Sequence, residues 1–159
     1  MKEVKVGIGG MSLGSIDTQP SLLIMEKDGE RHLHLVIGIL EASSILMAME
    51  GVAPSRPITH DLLNNVITKM GGHVDRVVIK ELREETYHAS IFLDEPWEME
   101  IDCRPSDGIA LALRVGAPLF VKEEVLEEVV RRNERYQQEA REAAEKALLD
   151  ESDPGGTVH

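Results

Sequence analysis

The 159-residue chain predicts an α+β domain: a mixed, largely antiparallel sheet with three helices packed on it, plus a C-terminal helix. Three observations carry this. Several short stretches rich in Val, Ile, Leu and Tyr alternate apolar with polar residues, as half-buried strands require. In other stretches apolar residues recur three and four apart, as on one face of a helix. The two kinds do not follow a regular strand-helix alternation, which argues against a doubly wound parallel sheet.

Val4, Val6 and Ile8 alternate with polar or small residues and begin a strand. SLLIMEKDGERHLHLVIG reads as two strands joined at Asp28-Gly29, a hairpin-turn dipeptide. A helix follows in GILEASSILMAMEG, where Leu40, Ile45, Leu46, Ala48 and Met49 keep helical spacing and Gly51 supplies a stop. Beyond the rigid connection framed by Pro54 and Pro57, Thr59 is placed to cap a second helix, HDLLNNVITKM. Its Leu62, Leu63, Val66, Ile67 and Met70 form one apolar stripe. HVDRVVIKEL and TYHASIFLD are rich in β-formers and should pair antiparallel, with WEMEIDCR as a third strand. After Pro105, SDGIALALRVG is a third helix ending at Gly116, and APLFV is short and apolar enough for a buried strand.

The remaining stretch, KEEVLEEVVRRNERYQQEAREAAEKALLD, is one long charged helix. Leu126, Val130, Asn133, Gln137, Ala140, Ala144 and Ala147 mark a weak, alanine-rich heptad seam along it. Val125, Leu126, Val129 and Val130 should dock on the domain while later turns project, supported by pairs such as Glu128 with Arg132. On this reading residues 1–121 are the domain and 122–149 a C-terminal amphipathic helix. Residues 150–159 are a disordered tail, because Pro154, Gly155 and Gly156 break helices.

Composition restricts the function classes. No stretch approaches the roughly 20 apolar residues of a bilayer crossing, so no membrane association is expected. No export signal is visible at the start, and the single cysteine precludes an internal disulfide, so a cytoplasmic location is expected. The net charge of −12 opposes tight, salt-driven binding of nucleic acid. Two Tyr, two Phe and one Trp argue against a base-stacking platform.

Motifs narrow the choice further. GIGGMSLG places Ser12 where a dinucleotide fingerprint needs its third glycine, and it lacks the Lys of a Walker loop. His32 and His34 share a strand face without a third ligand, and Cys103 lacks an adjacent base. Chemistry concentrates in two segments instead. PSRPITHDLL brings Arg56, Thr59, His60 and Asp61 to one helix start, and DCRPSDGIALAL brings Asp102, Arg104, Ser106 and Asp107 to another. Each has a structural explanation, with Thr59 and Ser106 as caps and Asp61 and Asp107 favouring the positive end of a helix dipole. Glu41, at the start of the first helix, shares that explanation. Together the residues also form a phosphodiesterase set. Asp61, Asp102, Asp107 and Glu41 are oxygen ligands for Mg²⁺ or Mn²⁺, His60 can move a proton, and Arg56 and Arg104 can hold phosphate in a forked contact.

At these segments the chain resembles the bifunctional nuclease domain proteins over about residues 4–125. The match runs from GILEASSILMAMEG through RPITHDLL to DCRPSDGIALAL and APLFV. Cys103 and Gly108 stand where the family pattern has Ala, and His32 to Leu35 stand where it is more often apolar or aromatic. The resemblance implies an α+β domain, self-association as a homodimer, and hydrolysis of both RNA and DNA. The expected roles are catalysis by His60, Asp61, Asp102 and Asp107, and substrate binding by Arg56, Thr59, Arg104 and Ser106. The metal would be held by Glu41, Asp61, Asp102 and Asp107. The competing expectation is a binding or oligomerisation module in which the same helix-start residues are structural.

Overall fold

A computed structural model describes residues 2–151, with side chains described through residue 149; the tail expected over 150–159 lies largely outside the described residues. The elements run β1 (Glu3–Ser12), β2 (Ser21–Glu26), β3 (His32–Val36), α1 (Ile39–Met49), α2 (Thr59–Lys69), β4 (Val74–Arg83), β5 (Thr86–Leu93), β6 (Met99–Cys103), α3 (Pro105–Val115), β7 (Leu119–Lys122) and α4 (Glu123–Glu151). This is the α+β arrangement expected from the sequence. No described helix is long and apolar enough to cross a membrane.

The seven strands form one mixed sheet in the order β3-β2-β1-β7-β4-β5-β6. Two antiparallel groups, β1 to β3 and β4 to β6, are joined by β7, which runs antiparallel to β1 and parallel to β4. Register sets one continuous apolar face. Val4 lies opposite Val121, and Val121 lies opposite Ile79. Because side chains alternate along a strand, Val6, Leu119 and Val77 fall on the same face two residues away.

That face carries the helices. Ala42 and Ile45 of α1, Ile109 and Ala110 of α3, and Val125, Leu126 and Val129 of α4 close the main core against β1, β2, β3 and β7. Leu111 and Ala112 of α3 continue it over Val77, Ile91 and Leu93. From Asn133 to Leu149, α4 is exposed at every position.

One helix departs from expectation. The apolar stripe of α2 faces outward: Leu62 is 56% exposed, Val66 46% and Met70 62%, while Ile67 alone packs against the core. The reason is on the opposite side of α2, where His60 and Asp61 turn inward to polar partners on α1 and α3.

Candidate active site

The helices α2 and α3 begin alike. Each carries an aspartate as its third residue, in Thr59-His60-Asp61 and Pro105-Ser106-Asp107. A carboxylate there is favoured by the unpaired N–H groups of the first turn. Asp61 accepts the Ile58 N–H at 3.0 Å. The cap positions are Ile58 and Arg104, so Thr59 and Ser106 lie inside their helices and neither hydroxyl caps. Pro105 fixes the backbone at the first helical position of α3, which puts Ser106 at the second.

A chain of polar contacts links the helices. Arg114, in the last turn of α3, donates to Asp61 Oδ1 at 2.7 Å, to the Ser44 carbonyl at 3.2 Å and to Ser44 Oγ at 3.0 Å. Arginine has no acceptor, so Ser44 Oγ accepts from it and can give its own hydrogen to His60 Nδ1, 2.8 Å away. In the neutral imidazole this order puts the proton on Nε2, which donates to Asp107 Oδ1 at 3.0 Å. Arg104 then holds Asp107 in a fork, at 2.7 Å and 3.1 Å, and reaches Glu41 Oε1 at 3.0 Å.

Depth separates the two ends of this chain. His60 is 8% exposed and the Arg114 side chain 10%, whereas Arg104 is open to solvent. Burial pushes the Asp107 carboxyl up, yet hydrogen bonds from Arg104 and His60, with the Arg104 charge, outweigh it and hold the group below the ordinary carboxylate value. Asp61 follows the same balance. Its burial is overcome by the Ile58 N–H and by Arg114. Cys103 is pushed up to about 11 by burial, with Asp107 and Asp102 adding to it, which makes the thiol a poor nucleophile.

The exposed end opens on a cleft of about 580 Å³ between β3, the starts of α1 and α3, the β4–β5 tip and α4. Glu41, Arg104 and Ser106 line it. Neither Asp107 nor His60 does: Asp107 stands behind Arg104, and His60 behind Asp107. The structure thus brings Glu41, His60, Asp61, Arg104, Ser106 and Asp107 into one region and leaves three others out. Asp102 lies opposite Ser90 on β6 and shares its face with Glu100, which accepts from Ser90. The neighbouring Cys103 is the residue facing α3, at Gly108, so alternation turns Asp102 to the other side of the sheet. Arg56 is exposed between α1 and α2, and its guanidinium pairs with no described residue. Thr59 is exposed as well.

These positions decide whether the expected metal fits. Among the described residues no three His, Cys, Asp or Glu side chains converge as an ion would require. Asp102 is on the wrong face, Asp61 is held by Arg114, and Glu41 and Asp107 are both held by Arg104. The arrangement does not fit Mg²⁺ or Mn²⁺ as a resident ion.

Sequence reasoning missed Ser44 and Arg114. A signal existed for both. Asp107 and Arg114 are seven apart on α3, and Glu41 and Ser44 are three apart on α1, so each pair shares a helical face with an expected site residue.

Comparison with known proteins agrees with the family resemblance. The bifunctional nuclease domain model matches residues 22–134. An uncharacterized protein of Mycobacterium tuberculosis is 39% identical over 122 residues, covering 77% of this chain and 73% of that protein. Bifunctional nuclease 2 of Oryza sativa subsp. japonica is 33% identical, covering 70% of this chain and 36% of its own. Bifunctional nuclease 1 of Arabidopsis thaliana is 32% identical, covering 64% and 33%. The aligned region therefore spans about a third of these plant proteins' length. With a family match over most of its length, the chain belongs to the bifunctional nuclease domain family.

Proposed function

We propose that the chain hydrolyses phosphodiester bonds of RNA and DNA at the Glu41, Arg104 and Asp107 end of the cleft. The observation that carries this reading is the Arg104 bridge, in which one solvent-facing guanidinium is shared between Glu41 and Asp107. A substrate phosphate oxygen arriving at Arg104 takes over the bond to Glu41 and frees that carboxylate. Glu41 then accepts a proton from the water that attacks phosphorus, and the departing oxygen takes a proton from solvent. Asp107 keeps Arg104 aimed, and His60, Ser44 and Arg114 keep Asp107 aimed, so His60 is a positioning residue in this scheme.

The plant relatives named as nucleases, and the cleft beside the bridge, support the reading. A homodimer in the cytoplasm belongs to it too, with the outward apolar stripe of α2 covered by a second copy. The test is cleavage of labelled RNA and DNA by wild type, Glu41→Gln and Arg104→Ala. Loss of general-base help should cost about 100-fold or more in kcat for Glu41→Gln. Equal cleavage by all three would assign the activity to a contaminant and leave a binding module in its place.

A further inference from the structure

The cleft beside Arg104 is unusual for this chain. The protein has two tyrosines in all, and both, Tyr87 and Tyr136, line it. His32 and His34 line it from β3, their rings edge to face with centroids 5.7 Å apart. Asn133 stands one turn before Tyr136 on the same face of α4. Four flat side chains thus gather around one opening, in a chain with five Phe, Trp and Tyr residues and six His in all. At about 580 Å³ the cleft lies within the usual range for small-molecule pockets, roughly 300–1,000 Å³.

Charge alone cannot be what this cleft offers a ligand. Its second arginine, Arg132, is neutralised by Glu85 and Glu128. Arg104 is shared between two carboxylates. What remains is ring surface and an amide.

We propose that the cleft is a base-holding subsite: the nucleobase next to the phosphate at Arg104 leaves its stack and lies against Tyr136 and Tyr87, its edge within reach of Asn133. This rests on the phosphodiesterase reading above and specifies its substrate as an unpaired strand. Every base has a π-face, so the subsite tolerates sequence. A paired base cannot enter. Because stacking supplies the affinity, binding falls only weakly with salt, with a log-log slope of about −0.7 for a single phosphate contact.

The test is fluorescence anisotropy with a short fluorescein-labelled oligothymidylate, its annealed duplex as the comparison, on wild type, Tyr136→Ala and Tyr136→Phe. Tyr136 is 64% exposed, so neither variant endangers the fold. Removing the ring should weaken binding roughly five- to hundred-fold, while Phe keeps it within about two-fold. The single strand should bind better than the duplex. Wild-type strength in Tyr136→Ala, no binding by wild type, or equal binding of the duplex would each overturn the subsite. Cleavage by Glu41→Gln at the wild-type rate, with the tyrosine effect intact, would overturn the catalytic scheme and leave the subsite standing.

Discussion

The sulfur of Cys103 stands 3.1 Å from the point a Cβ on Gly108 would occupy, and Val77 Cγ1 stands 2.7 Å from the same point. The two positions where the resemblance leads one to expect alanine are therefore one exchange: a larger side chain on β6 sits against a glycine on α3. Gly108→Ala gains about 1 kcal/mol of helix propensity but overpacks a fully occupied site at a cost of about 1–3 kcal/mol. A net loss of about 1 kcal/mol is expected in urea denaturation. In a Cys103→Ala background the sulfur contact is gone, and the loss should shrink. Strict additivity of the two substitutions would contradict the exchange.

Arg114 ties α3 to both α1 and α2. Arg114→Met should cost about 3 kcal/mol, since it leaves Asp61 without its cation and Ser44 without a donor. Asp61→Asn in the same chain should recover part of that loss. A double-mutant cycle by chemical denaturation reads the coupling directly.

Acid should act through the same carboxylates. Asp61 and Asp107 both lie below the ordinary 3.8 in the fold, so the unfolded chain binds their protons first. Their stabilisation is complete above that value and is lost as pH falls through the lower folded values. Melting temperature should therefore be level from neutrality to about pH 5 and drop below about pH 4. Asp107→Asn should flatten the acid limb, and an unchanged limb would remove Asp107 from the account.

Divalent metal should matter little. The site's carboxylates are each held by an arginine and do not converge on one point, so EDTA and Mg²⁺ should give the same melting temperature in calorimetry. Cleavage should survive EDTA in wild type and stay about 100-fold slower in Glu41→Gln. Cleavage lost in EDTA and restored by Mg²⁺ or Mn²⁺ would return an ion to the site.

The outward stripe of α2 is the expected contact between two copies. Leu62→Glu with Met70→Glu places charge in that contact while leaving Ile67 in the core. Light scattering should show the mass fall to that of one chain. Wild-type mass in the double variant would move the interface elsewhere.

Much of this was legible in the residues. Strand alternation, the Asp28-Gly29 hairpin and the helix stop at Gly116 are local signals, and each element stands where they put it. What the pattern hid was direction. The stripe of α2 obeys helical period yet faces away from the core, because buried His60, hydrogen-bonded to Asp107, takes the inward side. Asp102 reads as part of a motif with Asp107, but one residue of strand alternation sends it to the other side of the sheet. The cleft was illegible for a related reason. Tyr87 and Tyr136 are nearly fifty positions apart and meet only because α4 crosses back over the β4–β5 tip.

Strand β7 is the last strand in the chain and sits at the centre of the sheet. During synthesis the β1–β3 and β4–β6 groups emerge as separate fragments, each with one open long edge. No strand joins them until residues 119–122 leave the ribosome. Every contact of β1 with β7 spans more than a hundred residues, a connectivity that slows folding. The nascent protein therefore carries the β1 edge unpaired until β7 emerges, joined by the β4 edge once residues 74–83 are made, and that interval is where chaperone dependence and aggregation should concentrate.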